Sequence, residues 1–507
     1  MILKKNDKVK SSCCQTKTSP RAYGRARTKT IVVSVVIVLV ILFFLMKKQG
    51  IFGLSSKYPP EVFSIFYTCD TSGHIEPCGC VGGMAGGISR RQTYLAQAEP
   101  KDYLLVDAGD VTAGYRPWEI LELEYILKGY KKMGYHAVNI GHREVMLSYD
   151  DLLKLKEQYG QFVSANLLGP DGKLVFQPFI VVKLSNGYRC GITGILDDNL
   201  QAEDIGEGLS VIPPADALAR HLPELEKKAD YIVLLAFADQ DAIKALAKQF
   251  FEIDVIVGGN VLQATTMPLK ENHSIVVLNT DKGKNVGRLN VRFAADDNWK
   301  YDSELFVVAE SMERDAQLTQ LVEEYKMQLK EREFHPLKDD EEGLSAITAV
   351  RSKNADKYIG PASCEECHKT AYKTWSESKH ATAFKVLEEK NDHYNPKCLE
   401  CHTVGYMASD GYISQELTPV LKNVSCEACH GRGDYHSKIE SDAADAALQN
   451  DSLSSTAENT KIKIEQFGLK QVECITCHDE ENSPDFNEEE YWEKITHGLD
   501  EAKPETE

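Results

Sequence analysis

Five residues in the order Cys-x-x-Cys-His recur four times between positions 358 and 478, and nothing else in the chain restricts its fold so strongly. The copies are Cys364-Glu-Glu-Cys367-His368, Cys398-Leu-Glu-Cys401-His402, Cys426-Glu-Ala-Cys429-His430 and Cys474-Ile-Thr-Cys477-His478. Two cysteines at this spacing put their sulfurs on one side of a turn, where they form thioethers with the two vinyl groups of a haem. The adjacent His then lies beneath the iron as its proximal ligand. Cys-x-x-Cys is also half of many structural zinc sites. Zinc, however, does not require a His directly after each second Cys, and these gaps are longer and less even than paired zinc knuckles give. The motifs therefore predict four covalently bound c-type haems, with no firm expectation of another metal.

The same region holds four further histidines, His380, His393, His436 and His497, but a single methionine, Met407. Methionine can thus ligate one iron at most, and His–His ligation is expected for the others.

The remaining cysteines are Cys13, Cys14, Cys69, Cys78, Cys80 and Cys190, which is not the usage of a small disulfide scaffold. The formal net charge is −19, of which the first 48 residues contribute +10, so residues 49–507 carry −29. An acidic body excludes nucleic acid as a partner, because phosphates need clustered Lys and Arg. It suits docking against a basic redox partner protein, although acidity is also a route to solubility. Residues 1–30 are basic and polar, and 31–46 are apolar apart from Ser34, followed by Lys47-Lys48. That run is near the short end of what spans a bilayer as a helix. A cleaved signal peptide is the alternative, but the basic stretch ahead is long and no Ala-x-Ala-like site follows. The expectation is an uncleaved single-pass anchor in the cytoplasmic membrane, with residues 1–30 cytoplasmic and 49–507 on the periplasmic side. Cys13 and Cys14 would be cytoplasmic, as palmitoylation sites or free thiols.

Between 61 and 310, short apolar runs alternate with amphipathic ones. Val62–Tyr67, Tyr103–Val106, Ala137–Ile140, Phe162–Ala165, Tyr231–Phe237, Val255–Val257, Ser274–Leu278 and Val286–Phe293 read as buried strands. Trp118–Met133, Tyr149–Tyr159, Ala215–Lys228 and Asp241–Phe251 read as helices. A hairpin is expected over 178–194, turning at Ser185-Asn186-Gly187. This is an α/β pattern. Residues 312–333 predict a charged helix, the acidic segment 335–357 a linker, and 440–463 a surface insertion within a final domain, 358–507.

The stretches KYIGPASCEECHKTAYKTWSESKHATAF, NPKCLECHTVGY, VSCEACHGRGDYH and ITCHDEENSPDFNEEEYWEKITHG resemble the tetrahaem cytochrome c-554 family over essentially all of 357–499. The resemblance implies a mainly α-helical domain of packed haems, mostly with two His ligands, that passes electrons between partner proteins. Some relatives leave one haem five-coordinate. His380, His436 and His497 fall at family His positions and are the expected distal ligands; His393 stays open.

The stretches IFYTCDTSGHIEPCGC, LLVDAGD, NIGHRE, YIVLLAFADQD, VIVGGN and IVVLNTDKGKNVGRLNVRF resemble, in order, the 5′-nucleotidase-like branch of the metallophosphatases over about 61–306. This implies a two-layered β core flanked by helices, and a two-metal site for phosphoester hydrolysis. Asp70 and Asp110 match the first two aspartates and His142 stands where the family has Asn. Ser72, Arg143, Phe237, Asn260 and Leu262 occupy positions that should supply the other ligands and the acid, although His74 is near. Too few ligands remain for two metals. Cys69, Cys78 and Cys80 offer either a thiol-based metal or redox site in the old pocket, or a disulfide or free thiols. Cys190 reads as core. The leading expectation is an electron carrier. The alternatives are a multihaem oxidoreductase acting on a small nitrogen or oxygen compound at an open iron, and a phosphoesterase with an appended cytochrome.

Overall fold

Apolar runs with no polar alternation demand burial on both faces of a sheet, and that is how the middle of this chain is built. The computed structural model describes residues 61–77, 84–98, 101–293, 299–335, 356–448, 473–479 and 482–497. The expected tail 1–30, the expected span 31–46, Cys13, Cys14, Cys78, Cys80 and most of the linker lie outside the described residues. Among the described residues no helix is long and apolar enough to cross a membrane.

The strands are β1 (Glu61–Thr68), β2 (Tyr103–Asp107), β3 (Ala137–Asn139), β4 (Phe162–Val163), β5 (Leu167–Leu168), β6 (Phe179–Lys183) and β7 (Arg189–Leu196). They continue as β8 (Ser210–Val211), β9 (Tyr231–Phe237), β10 (Val255–Gly259), β11 (Leu269–Glu271), β12 (Ser274–Leu278), β13 (Asn285–Phe293) and β14 (Trp299–Val307). One six-stranded sheet runs β14-β13-β1-β2-β3-β4 and a second runs β11-β12-β10-β9-β7-β6, with β5 and β8 a separate pair. The inner strands are parallel; β13, β14, β6 and β11 join antiparallel at the edges.

Period-2 alternation sorts the central strands of the second sheet between two cores. In β9, Tyr231, Val233, Leu235 and Phe237 enter the same core as Phe63, Ile65 and Tyr67 of β1. The Phe63 and Tyr231 rings meet edge to face at 5.1 Å, so the two sheets pack face to face. The alternate residues Ile232, Leu234 and Ala236 enter a second core with Leu218, Leu222, Ile243 and Leu246. Those last four belong to α4 (Pro214–Lys228) and α5 (Gln240–Gln249), which cover the outer face of the second sheet. Covering helices of the first sheet include α1 (Ile88–Gln97), α2 (Pro117–Met133) and α6 (Ala316–Arg332), which pack against one another, while α3 (Tyr149–Tyr159) packs on α2. Phe66, on the opposite face of β1 from Phe63, meets Tyr94 of α1 edge-on at 6.3 Å. The result is a helix–sheet–sheet–helix stack.

Local chemistry sets the ends. Ser148 caps α3 by accepting from Asp151 N, Asp239 caps α5 from Asp241 N and Ala242 N, and Asp315 caps α6 from Leu318 N. Three expectations shift. The strand expected over 162–165 ends at Val163, because the N–H groups of Ser164 and Ala165 turn to Gln177 O and Gly194 O. Helix α1 and edge strand β14 were not foreseen, and the expected surface insertion at 440–463 begins within a helix that runs on to Leu448.

The C-terminal region is a chain of short helices: α7 (Ala362–Glu365), α8 (Lys369–Ser376), α9 (Ala383–Lys390), α10 (Pro396–His402), α11 (Cys426–His430), α12 (Asp434–Leu448) and α13 (Glu488–Ile495). Its own apolar core is one small cluster of Phe384, Leu387, Leu399, Val404, Tyr406, Tyr412 and Leu421. Tyr406 Oη donates to Phe334 O at 2.8 Å, and fully buried His335 lies edge-on to the Tyr406 ring at 5.2 Å. These contacts seat the C-terminal region against the end of α6.

Candidate functional site

All four Cys-x-x-Cys-His motifs open into one cavity of about 3040 Å³, far above the ~300–1,000 Å³ of a small-ligand pocket. Its wall includes His368, His402, His430 and His478 together with His380, His436 and His497. The fold pairs these rings. His368 faces His436 at 6.0 Å between centroids, His478 faces His380 at 6.0 Å, and His430 faces His497 at 5.8 Å. A metal–imidazole bond of about 2 Å on each side, plus the radius of each ring, sets two axial imidazoles about 6 Å apart. The three pairs therefore fit bis-histidine iron. Burial lowers the pKa of His380, His436 and His478, which keeps a lone pair available at neutral pH.

His402 differs: no second His ring pairs with it among the described residues. Its Nδ1 lies 2.7 Å from Ala383 O, which fixes the tautomer that leaves Nε2 as the ligand atom. His478 Nδ1 is likewise held, by Ser483 Oγ at 2.9 Å. His393 is not part of the cavity wall; its ring lies against Tyr394 at 4.2 Å and Phe384 at 6.3 Å.

The motifs are also drawn together in twos. The Cys364 and Cys426 sulfurs are neighbours, as are those of Cys401 and Cys477, so the first motif adjoins the third and the second the fourth. Glu427, inside the third motif and 2% exposed, accepts from Ile359 N, Gly360 N and Gly433 N at 2.7–3.0 Å. Asp410 takes Arg432 in a two-pronged pair, both bonds 2.7 Å, and the guanidinium lies over Tyr358. Neither acid was singled out from the sequence; each acts through residues distant in the chain.

The other expected site lies at the carboxyl ends of β1, β2, β3, β7 and β10, where open α/β sheets place ligands. Asp70, Ser72, Asp110 and Asn260 all adopt positive φ there, between 50° and 57°. Arg143 Nη1 stands 3.1 Å from Asp70 Oδ1 and 3.3 Å from Asp110 Oδ2, and it also contacts Ser72 Oγ. His142 Nε2 is 2.9 Å from Oδ1 of Asp197, a residue the sequence reading did not name. Burial opposes charge on His142, but Asp197 outweighs it and raises the imidazole pKa. Burial pushes the Asp110 carboxyl up to about 6 against the pull of Arg143. Phe237 is buried, its ring 4.9 Å from that of His142, whereas Leu262 points fully into solvent. Among the described residues no three His, Cys, Asp or Glu side chains are grouped to hold a metal. Cys69 is a buried thiol bonded to Gly109 O at 3.4 Å, and burial raises its pKa well above the usual thiol range. Its side chain has no exposure to solvent.

Residues 363–431 match the family of cytochrome c554 and c-prime. The C-terminal region is cytochrome c554-like. Cytochrome c-554 of Nitrosomonas europaea is 26% identical over 156 residues, which are 27% of this chain and 63% of that protein. A dissimilatory sulfite reductase of Wolinella succinogenes is 41% identical over 99 residues, 18% of this chain and 13% of that protein. A 5′-nucleotidase of Vibrio cholerae is 25% identical over 251 residues, 41% of this chain and 45% of that protein. The chain thus spans less than two thirds of each relative, and its cytochrome c554-like and 5′-nucleotidase-like parts find their likeness in different proteins. The two parts share a boundary in space: Ser72, His74 and Arg143 of the α/β unit line the same cavity as the c554-like motifs.

Proposed function

We propose that this chain is a tetrahaem electron carrier, anchored in the cytoplasmic membrane by 31–46 and exchanging electrons with redox partner proteins on the periplasmic side. The observation that carries the reading is the three His–His ring pairs at 5.8–6.0 Å, each joining one motif His to one other His. Haem supplies reversible one-electron chemistry; the chain's residues hold it, cover it and set its ligation. The eight motif cysteines would attach it, His368, His402, His430 and His478 would ligate from one side, and His436, His380 and His497 from the other. Two histidines committed to each of three haems would suit outer-sphere transfer, because neither would be free for a substrate. A pyridine haemochrome assay should give four haems per chain, and low-temperature EPR at least three low-spin irons. Two or fewer haems, or fewer than three low-spin irons, would overturn the reading.

A second reading rests on His402, whose ring has no counterpart among the described residues of the kind the other three have. An iron held there would keep an open face for a small anion or diatomic, which makes a haem oxidoreductase the competing function. Similarity to a protein named as a sulfite reductase is compatible with it. A high-spin EPR signal that turns low-spin on adding cyanide would support this reading, and four low-spin irons at rest would remove it. The α/β unit is proposed to have no phosphoesterase activity, since Arg143 occupies the space between its two candidate carboxylates.

A further inference from the structure

A buried carboxylate, Asp110, that faces a half-buried one, Asp70, needs a cation or a shared proton between the two to keep both close. In the two-metal hydrolases that the α/β unit resembles, metal ions fill that role. Here every oxygen of the pair already has a partner from the chain itself. Asp110 Oδ1 accepts from the Arg143 backbone N at 2.9 Å, and Asp110 Oδ2 faces Arg143 Nη1 at 3.3 Å. Asp70 Oδ1 faces Arg143 Nη1 at 3.1 Å and contacts Ser72 Oγ, while Asp70 Oδ2 accepts from Thr280 Oγ1 at 3.1 Å. The nearest imidazole is committed as well, His142 Nε2 to Asp197 at 2.9 Å, and Asn260 Nδ2 turns to the other Asp197 oxygen at 3.5 Å.

We propose that the Arg143 guanidinium is a resident cation in the place of the metal pair, and that it makes the α/β unit independent of metal for its fold. One nitrogen, Nη1, serves Asp70, Ser72 and Asp110 together, so it acts as a shared positive point between two loops. Those loops need the tie. Asp70, Ser72 and Asp110 are all held at positive φ, a conformation that costs free energy unless its surroundings enforce it. Ser72 in place of a larger ligand leaves room for the guanidinium and adds a hydroxyl to it. These residues act as one coupled set: Arg143 brings the charge, Ser72 the space, and Asp197, itself contacted by Asn260, holds His142.

The inference rests on the non-hydrolytic reading of this unit, yet it has its own test. Phosphoesterase turnover speaks to that reading; manganese uptake and melting speak to the cation. In the haem-loaded full chain, room-temperature EPR should show added Mn²⁺ remaining free, and melting should be unchanged by EDTA. Arg143→Ala should melt about 5 °C lower in EDTA, take up one equivalent of Mn²⁺, and regain the loss when it does. Arg143→Lys, which keeps the charge, should lose less and take up none. If Arg143→Ala does not fold, Arg143→Ala with Asp70→Asn should, because neutralising one carboxylate removes the need for a cation. Wild-type protein that sequesters one Mn²⁺ in a way abolished by Asp110→Ala overturns the proposal. So does an Arg143→Ala protein that melts like wild type in EDTA.

Discussion

The α/β unit and the C-terminal region solve the same problem, burying enough surface to be stable, by different means. In the α/β unit one strand, Tyr231–Phe237, is buried along its whole length and feeds two cores at once. In the C-terminal region a single cluster of seven buried apolar side chains serves the described parts of 356–497. Several of its large side chains line the cavity while staying partly exposed, Tyr435 at 46%, Trp492 at 43% and Tyr491 at 43%. The first region is specified by packing, the second by where its ligands fall. Perturbing packing should therefore damage only the first, and perturbing attachment only the second.

The largest effect expected is from attachment. Cys426→Ser with Cys429→Ser should remove one haem from a count of four and expose the C-terminal region to proteolysis. The α/β unit should stay protected, because none of the buried residues of its cores lies beyond Phe334 and, among the described residues of the C-terminal region, only Tyr394 packs against them. A haem count unchanged by the double substitution would contradict this, as would simultaneous digestion of both regions. The converse experiment is Leu234→Ala, at a position with no exposure. Deleting a fully buried leucine costs about 3 kcal/mol, so the α/β transition should fall while the haem absorption spectrum is unaltered. Coupled loss of the spectrum would mean that the regions do not fold separately.

The contrast also governs what could be read from the sequence. Strands buried on both faces announce themselves as unbroken apolar runs, and Tyr231–Phe237 and Ser274–Leu278 begin and end where expected. Helix α1 did not, because its sequence ISRRQTYLAQ looks solvated. Arg91 within it is wholly buried, bonded to Tyr130, Tyr135, Thr71 and Gly283 O. Those partners lie up to 192 positions away, and no local pattern reveals them. The same divide runs through the sites. Haem motifs are legible because five contiguous residues carry both attachment and ligation. Asp197 and Glu427 take their roles from strand ends and helices that the fold brings together. For the histidines the sequence offered more: the count of spare ones, and the family positions of His380, His436 and His497.

A pH profile should separate the two regions more gently. Burial, reinforced by Asp110, pushes the Glu144 carboxyl up to about 7, and burial pushes Asp110 to about 6. In the unfolded chain both sit near the ordinary carboxylate range of about 4. Between roughly pH 4 and 7 the folded α/β unit thus binds more protons than the unfolded chain, so its stability falls as pH rises through that window. The loss should be on the order of 2 kcal/mol, opposite in sign to ordinary acid denaturation. Melting of the α/β unit at pH 5.5 and 7.5 tests this, and Glu144→Gln should flatten the difference. A higher melting temperature at pH 7.5 than at 5.5 in the wild type would contradict it.

The smallest effect concerns the seam between the regions. Lys397, beside the second haem motif, reaches across to Glu122 of α2 at 2.5 Å and to Gly73 O at 3.2 Å. Nearby, Lys326 of α6 joins Glu76 at 2.7 Å and Asp392 at 3.0 Å. Glu122 is nearly inaccessible, its side chain 4% exposed, and burial raises its pKa even though Lys397 pulls the other way. Removing the lysine alone leaves a carboxylate buried without its partner, which is costlier than losing the pair together. Because Lys397 itself is about one-third exposed, water can reach the gap and the cost should be modest, about 1 kcal/mol. Lys397→Met should therefore lower the α/β transition slightly, and adding Glu122→Gln should restore most of it. The haem count should not change, since neither residue attaches or ligates. If Lys397→Met instead alters the spectrum of one haem, the seam shapes the second haem's surroundings as well as joining the regions, and the clean division between packing and ligation fails at that point.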